Sequence, residues 1–164
     1  MADLAAQVAA NNTGIVEINS MIEQFGIETV HSYMNHVQDN AEECIRNAIV
    51  NLREGKYEYE LDNGEFIRVK ITIDKIKREA TIDFTGTAPK NPLNYNAPMA
   101  VCHAVILYVF RTLVGSNIPL NEGCFKPLNI IIPNNSMINA KYPSAVIAGN
   151  TEVSLSLIHI SEPT

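Results

Sequence analysis

Cysteine is scarce in this chain. Three occur in 164 residues, Cys44, Cys102 and Cys124. Far apart and odd in number, they fit a reducing compartment rather than a disulfide framework, and a cytoplasmic location is expected. No Cys-x-x-Cys pair is present, so a structural zinc lacks its usual ligands. His31 and His36 are five residues apart, about 140° round a helix, and cannot form a two-histidine helical pair. The residues give no metal site. Basic residues are in the minority, 12 Lys and Arg against 18 Asp and Glu for a net charge of −6. Neither nucleic acid nor an anionic membrane is the expected partner, since both want a basic patch. Lys75, Lys77 and Arg78 form a run too short to make one. There is no Gly-x-x-x-x-Gly-Lys-Ser/Thr and no Gly-x-Gly-x-x-Gly, so ATP, if used, is held by another segment or chain. No secretory signal is visible after Met1. The most apolar stretch, residues 97–114, contains His103 and Arg111 and falls short of the ~20 residues of a membrane span.

What remains is a globular composition, 46% hydrophobic and 18% charged, long enough for one domain with a core. Leu4, Val8, Ile15, Ile18, Ile22 and Phe25 recur at helical spacing. They predict one helix, loosened around Asn11–Gly14 and ended by Gly26. A second helix is expected with Val30, Tyr33, Val37, Ala41, Cys44, Ala48 and Leu52 on one face, closed by Gly55. This helical pair should pack on itself or on a sheet. The period then changes to two. Tyr57, Tyr59 and Leu61, then Ile67 to Ile73, then Ala80, Ile82 and Phe84 alternate with polar residues, with a hairpin turn at Asp62-Asn63-Gly64. A three-stranded antiparallel meander with one wet face follows. After a loop, Asn96 is placed to cap a central buried helix running to about Val114, with Pro98 in its first turn. Residues 115–127 read as loop, 128–132 as a buried strand, 137–139 as a further short strand, and 142–150 as extended and loop-rich. The fold class is α+β.

Polar side chains crowd where the third strand gives way to the central helix. Asp83 and Thr85 close the strand; Asn94 and Asn96 precede the helix; Asn121 and Asn150 lie in later loops. Amides donate and accept hydrogen bonds at once, which suits orienting a polar substrate; the same residues also serve ordinary turn chemistry. Cys124 lies beside Glu122, but a nucleophilic thiolate needs a base and no histidine is near it in sequence. His103, inside the apolar helix, reads as a core histidine. Asp83, Thr85, Asn94, Asn96, Asn121, Cys124 and Asn150 are the candidate substrate contacts, and no catalytic residue is assigned.

Several of these residues stand in motifs. Asp3-Leu4-x-x-Gln7-x-Ala9-Ala10-Asn11, Tyr33-Met34, Asp83-Phe84-Thr85-Gly86-Thr87, Asn94-x-Asn96-Ala97-Pro98, Ile118-Pro119-Leu120-Asn121-x-Gly123-Cys124 and Ala148-Gly149-Asn150 occur in that order. Together they resemble the hydantoinase B family, and within it the ATP-dependent 5-oxoprolinase group. The resemblance covers about residues 2–154 and implies a partial domain, 1–154, of an enzyme that opens a cyclic amide at the expense of ATP. For the 5-oxoprolinase group it implies conversion of 5-oxo-L-proline to L-glutamate. It further implies ATP with a divalent cation bound outside this stretch, on a hydantoinase A-type subunit or domain, a possible metal in a section upstream, a small cyclic amide as substrate, and an oligomeric assembly. A hydantoinase or acetone carboxylase subunit of the same family is the alternative; so is a structural or interface segment with no catalytic side chain. Residues 155–164, Leu-Ser-Leu-Ile-His-Ile-Ser-Glu-Pro-Thr, depart from the family pattern and resemble translated sequencing-adapter read-through. They, His159 included, are set aside from functional argument.

Overall fold

The structure, a computed structural model, describes residues 2–115 and 118–161. The chain divides into two units, residues 1–39 and 40–164. The first holds helix α1 (Ala2–Phe25) and the first half of α2 (Ile27–Ile49). The expected loosening of α1 is absent. Asn11–Gly14 is continuous helix, and the Thr13 hydroxyl donates to the Ala9 carbonyl at 3.0 Å. Gly26 ends α1 as expected, at φ 82° with its N–H on the Ile22 carbonyl at 2.8 Å, a conformation open to glycine. No residue of α1 is buried.

In the second unit the end of α2 joins the core. The expected apolar face is buried only in part: Val30 and Ala41 on it are buried, Cys44, Ala48 and Leu52 are half-buried, and Tyr33 and Val37 are exposed, while Ile45 and Ile49 beside it are fully buried. Both lines satisfy a helical period, and Ile45 and Ile49, one turn apart, carry more apolar area than Cys44 and Ala48. The helix also stops before Gly55. The N–H groups of Asn51 and Leu52 bond the carbonyls of Ala48 and Ile49 three residues back, tightening the last turn, and Gly55 opens strand β1 instead.

Strands β1 (Gly55–Glu60), β2 (Phe66–Asp74) and β3 (Glu79–Asp83) form the expected meander. Tyr59 pairs with Ile67 and Tyr57 with Val69; Ile71 pairs with Ile82 and Ile73 with Ala80. Gly64 at φ 78° completes the first turn. Ile67, Val69, Ala80, Ile82 and Phe84 face the core, while Lys56, Glu58, Arg68 and Lys70 are exposed. Burying one face fixes this register, because a slip of one residue would turn the apolar set outward.

A fourth strand, β4 (Leu128–Ile131), lies parallel to β3, giving the order β1-β2-β3-β4. The meander is therefore part of a mixed sheet. Parallel pairing follows from the crossover between β3 and β4, which carries α3 (Met99–Leu113). β4 is half-buried and alternating rather than fully buried. α3 supplies Cys102, Val105, Ile106, Val109 and Phe110 to the core and is central as expected. It starts three residues after Asn96, with Pro98 at the cap position and no side-chain cap. Residues 137–139 form no strand; a single bridge joins Ser136 to Pro89. The stretch expected to be loop-rich turns into α4 (Ile147–Ser161), which carries Gly149 and Asn150 and continues into residues 155–161. Among the described residues the elements are four α-helices, one short 3-10 helix and four strands, an α+β fold.

The turn between β2 and β3 is locked to α2 by two arginines. Arg46 bonds Glu42 at 2.8 Å and donates to the carbonyls of Lys77 and Arg78 at 2.8 and 3.2 Å. Arg78, at φ 57°, grips both carboxylate oxygens of Glu43 at 2.7 and 3.0 Å. Such forked pairing is geometrically specific. Lys126 reaches Glu42 from the other side at 3.2 Å.

Candidate functional site

β3 ends at Asp83, and the turn after it is held by neighbouring groups. The Asp83 carboxylate accepts the Thr85 backbone N–H at 2.9 Å, an Asx turn. Gly86 sits at φ 95°, and a Cβ on it would lie 3.3 Å from Cδ of Arg68. Arg68 donates to the Gly86 carbonyl at 2.8 Å, pairs with Glu58, and lies 5.2 Å from the Phe66 ring centre, within cation–π reach. Thr87 is buried. Its hydroxyl accepts the Arg68 N–H and donates to the Arg68 carbonyl, both at 3.1 Å, so a side chain prolongs the pairing beyond the end of β3.

Asp83 and Thr85 line a pocket of about 410 Å³ on the polar side of the sheet, with Lys56, Tyr57, Glu58, Arg68 and Lys70. Lys56 stands opposite Lys70, and Lys70 opposite Asp83. Lys70 thus lies between a like charge and the Asp83 carboxylate, and the pocket lining carries three cations, Lys56, Arg68 and Lys70, against two carboxylates, Glu58 and Asp83. The volume falls at the small end of the range for ligand pockets. None of the other five predicted contacts lines it.

Asn94 and Asn96 lie in the segment leading to α3. Asn96 is fully buried. Its Oδ1 accepts the Asn91 N–H at 2.7 Å, and its Nδ2 donates to the carbonyls of Asn91, Leu93 and Ala145 at 2.9, 3.0 and 3.0 Å. The amide therefore ties the loop to the segment that leads into α4. Asn94, half-buried, accepts the Gly149 N–H on its backbone carbonyl at 2.9 Å. Gly149 approaches so closely that a Cβ there would lie 2.2 Å from the Asn96 carbonyl oxygen. Asn150, next along, is exposed in the first turn of α4. Three of the predicted residues, Asn94, Asn96 and Asn150, are thus gathered where α4 begins.

Asn121 and Cys124 belong to another locality, the 3-10 helix Glu122–Phe125. Asn121 caps it, accepting the Gly123 N–H at 2.8 Å. Cys124 is fully buried with its sulfur 3.9 Å from the Pro119 carbonyl oxygen. The half-buried His103 ring sits 5.9 Å from that of Phe125, a packing contact. Cys102 is also fully buried, and burial pushes its thiol up to about 12. Among the described residues no three His, Cys, Asp or Glu side chains come together to hold a metal ion, and no helix is long and apolar enough to cross a membrane.

A second, larger depression of about 1250 Å³ is lined by Leu52, Ile73, Asp74, Lys77 and Leu128 among others, and by none of the seven predicted residues. Lys56, Arg68, Lys70, Asn91 and Gly149 were missed as site residues. For the first three a signal existed: the Asp-Asn-Gly turn sets the hairpin register, and that register faces Glu58 to Arg68 and Lys56 to Lys70. For Asn91 and Gly149 the partners are tertiary.

Comparison with known proteins agrees over nearly the whole chain. The family model for hydantoinase B/oxoprolinase matches residues 1–161. The chain is 42% identical to 5-oxoprolinase 1 of Arabidopsis thaliana, over 92% of its own length and 13% of that protein's. It is 40% identical to 5-oxoprolinase of Saccharomyces cerevisiae, over 92% of its length and 12% of that protein's. The fold matches the crystal structure of an ATP-dependent caprolactamase from Pseudomonas jessenii with a TM-score of 0.76 at 18% identity, over 96% of this chain and 29% of that one.

Proposed function

The chain belongs to the hydantoinase B/oxoprolinase family, and from that membership we propose that it forms part of an ATP-dependent cyclic-amide hydrolase that opens 5-oxo-L-proline to L-glutamate. The observation that carries this is the 42% and 40% identity to proteins named 5-oxoprolinase across 92% of the chain. The chain spans 13% or less of those relatives, so the activity belongs to the complete enzyme. ATP, held with a divalent cation on a hydantoinase A-type subunit or domain, supplies the phosphoryl group that makes a poorly electrophilic amide carbon open to attack by water. The sequence has no phosphate-cradling glycine loop, which supports placing the nucleotide on another segment or chain. The complete enzyme is cytoplasmic and oligomeric in this reading.

We assign the substrate-facing role first to Asp83 and Thr85. Lys56 and Lys70 beside them suit the carboxylate of 5-oxoproline, and Asp83, with one carboxylate oxygen committed to Thr85, keeps the other for the ring N–H. Asn94, Asn121, Cys124 and Asn150 remain secondary candidates on neighbouring loops, and Asn96 is a positioning residue that holds Asn94 in place. Residues 155–164 are proposed to be a non-native tail, which sequencing an independent clone across that junction tests.

The test is an assay of the complete enzyme with ATP against 5-oxoproline, hydantoin and acetone. Glutamate release from 5-oxoproline alone is expected; turnover of hydantoin or acetone instead would move the chain to another branch of the family. Residues 1–154 alone should release no glutamate. In the complete enzyme, Asp83→Asn should lower kcat/KM for 5-oxoproline by about tenfold or more, the loss of one charge-assisted hydrogen bond. An unchanged value would favour a purely structural or interface role for this segment.

A further inference from the structure

Helix α1 is apolar round most of its circumference, yet none of its residues is buried and only Ile22 is half-buried. It has 24 residues, about 36 Å of length, and its charged residues are Asp3, Glu17 and Glu23. Leu4, Val8, Ile15, Ile18, Ile22 and Phe25, with Asn11 among them, follow one another at alternating spacings of four and three, the seam of a heptad pattern. Leu4, Val8, Ile15 and Phe25 along it are 61, 59, 58 and 56% exposed. The apolar surface does not end at the seam. Val16 stands about 120° from Leu4 round the helix and Met21 about 100° to the other side, and they are 64 and 42% exposed. In water a helix gains most of its stability by burying an apolar face, and one that is apolar all round is a buried helix.

A second copy of α1 could cover the seam alone and would leave Val16 bare. Gln7, Asn12, Gly14 and Asn19, which flank the seam, carry no charge with which to select a coiled-coil partner. The family match begins at residue 1, which places α1 inside the family's domain. The longer relatives supply ample surface to cover it, since this chain accounts for 13% of the Arabidopsis protein and 29% of the caprolactamase chain.

We propose that in the complete enzyme α1 is an internal docking helix, buried on at least two sides in an apolar groove of the polypeptide that lies outside these 164 residues. Val16 and Ile15 then both face protein, on different walls of the groove. The proposal rests on family membership and is independent of which amide the enzyme opens.

Hydrogen exchange by mass spectrometry tests it in the complete enzyme. The amides of α1 should exchange about 100-fold or more slowly there than in the 164-residue chain, the protection expected of a buried helix. Ile15→Asp and Val16→Asp should each remove at least tenfold of that protection, with the amides of β2 and β3 serving as the control that the rest stays folded. Three results would overturn the proposal. One is equal exchange in both proteins. Another is loss of protection with Ile15→Asp but not Val16→Asp, together with a halved mass by ultracentrifugation, which identifies a coil between two copies. The third is protection that disappears on dilution.

Discussion

Replacing Gly149 with alanine tests how α4 is seated. A Cβ at that position would stand 2.2, 2.5 and 2.6 Å from the carbonyl oxygen, carbonyl carbon and nitrogen of Asn96. All three belong to backbone, and Asn96 cannot retreat because its amide is bonded to Asn91, Leu93 and Ala145. The two chains must separate by roughly 1 Å before ordinary contact distances are restored. The hydrogen bond from Gly149 N–H to the Asn94 carbonyl, 2.9 Å long, would then pass out of range, losing about 1 kcal/mol. Overpacking adds about 1–3 kcal/mol, while alanine returns at most about 1 kcal/mol of helix propensity. The net is a destabilisation of about 1–3 kcal/mol, or a Tm lower by roughly 2–12 °C for a chain of this size. Thermal melts followed by circular dichroism read it directly. Gly14→Ala is the counter-experiment. That glycine is inside α1 with nothing within 4 Å of the place its methyl group would take, so alanine should stabilise the helix by about 0.5–1 kcal/mol. A Gly149→Ala protein as stable as the parent would refute the close-approach argument.

Asn96→Ala should cost about 3 kcal/mol or more, because it strands the Asn91 N–H and buried carbonyls at about 1–3 kcal/mol each; urea unfolding measures it, and a loss under about 1 kcal/mol would mean water replaces the amide. Glu42 and Glu43 titrate below the ordinary value of 4.5. Burial pushes Glu42 up, but hydrogen bonds from Arg46 and Lys126 outweigh it, and the Arg78 guanidinium holds Glu43 down. A depressed carboxylate stabilises above its unfolded value and loses that contribution as pH falls through the folded one. The difference in Tm between the parent and an E42Q/E43Q variant should therefore be full above pH 4.5 and vanish as the pH drops below it; a gap that persists in acid would break the linkage. Cys44, half-buried, should react first with a thiol reagent at about pH 8, whereas Cys102 and Cys124, both fully buried, should react only after denaturation. For Cys102 the raised thiol adds the same bias, with stability lost only as pH climbs from 9 toward 12. Rapid labelling of three thiols in the native protein would contradict this.

The parts legible in the sequence are those whose partners are close along it. Leu61, Gly64 and Ile67 announce a hairpin because the turn and both strands are neighbours in the chain, and α3 is legible because its residues form one long apolar run. What escaped reading was settled at long range. Arg78 meets Glu43 across 35 residues, so a short basic run looked inert when it fastens α2 to the sheet. The outer edge of β3 gives no sign in the sequence that β4 pairs with it. Gly149 and Asn150 look like loop residues, because a glycine chosen for a close approach to Asn96 is indistinguishable in sequence from one chosen for a turn. Of the candidate site, Asp83 and Thr85 were legible as strand-end residues, but the cationic residues beside them required the register. Asn96 stands out in the sequence by its place before the helix, while its partners, Ala145 most of all, are hidden, that one 49 residues away.

The parallel pairing of β3 with β4 also sets an order of events in folding. Ala80 meets Leu128 only after the chain between them has closed a loop that includes α3, and loop closure of that length is entropically costly before any contact repays it. The antiparallel hairpins need no such closure. The meander is thus able to form while the parallel edge is still open, and Phe84, whose N–H awaits the Ile131 carbonyl, is among the last core residues to be locked. During that interval the free edge of β3 can pair with a foreign strand, so the strand that ends at Asp83 is open to misassembly until β4 docks.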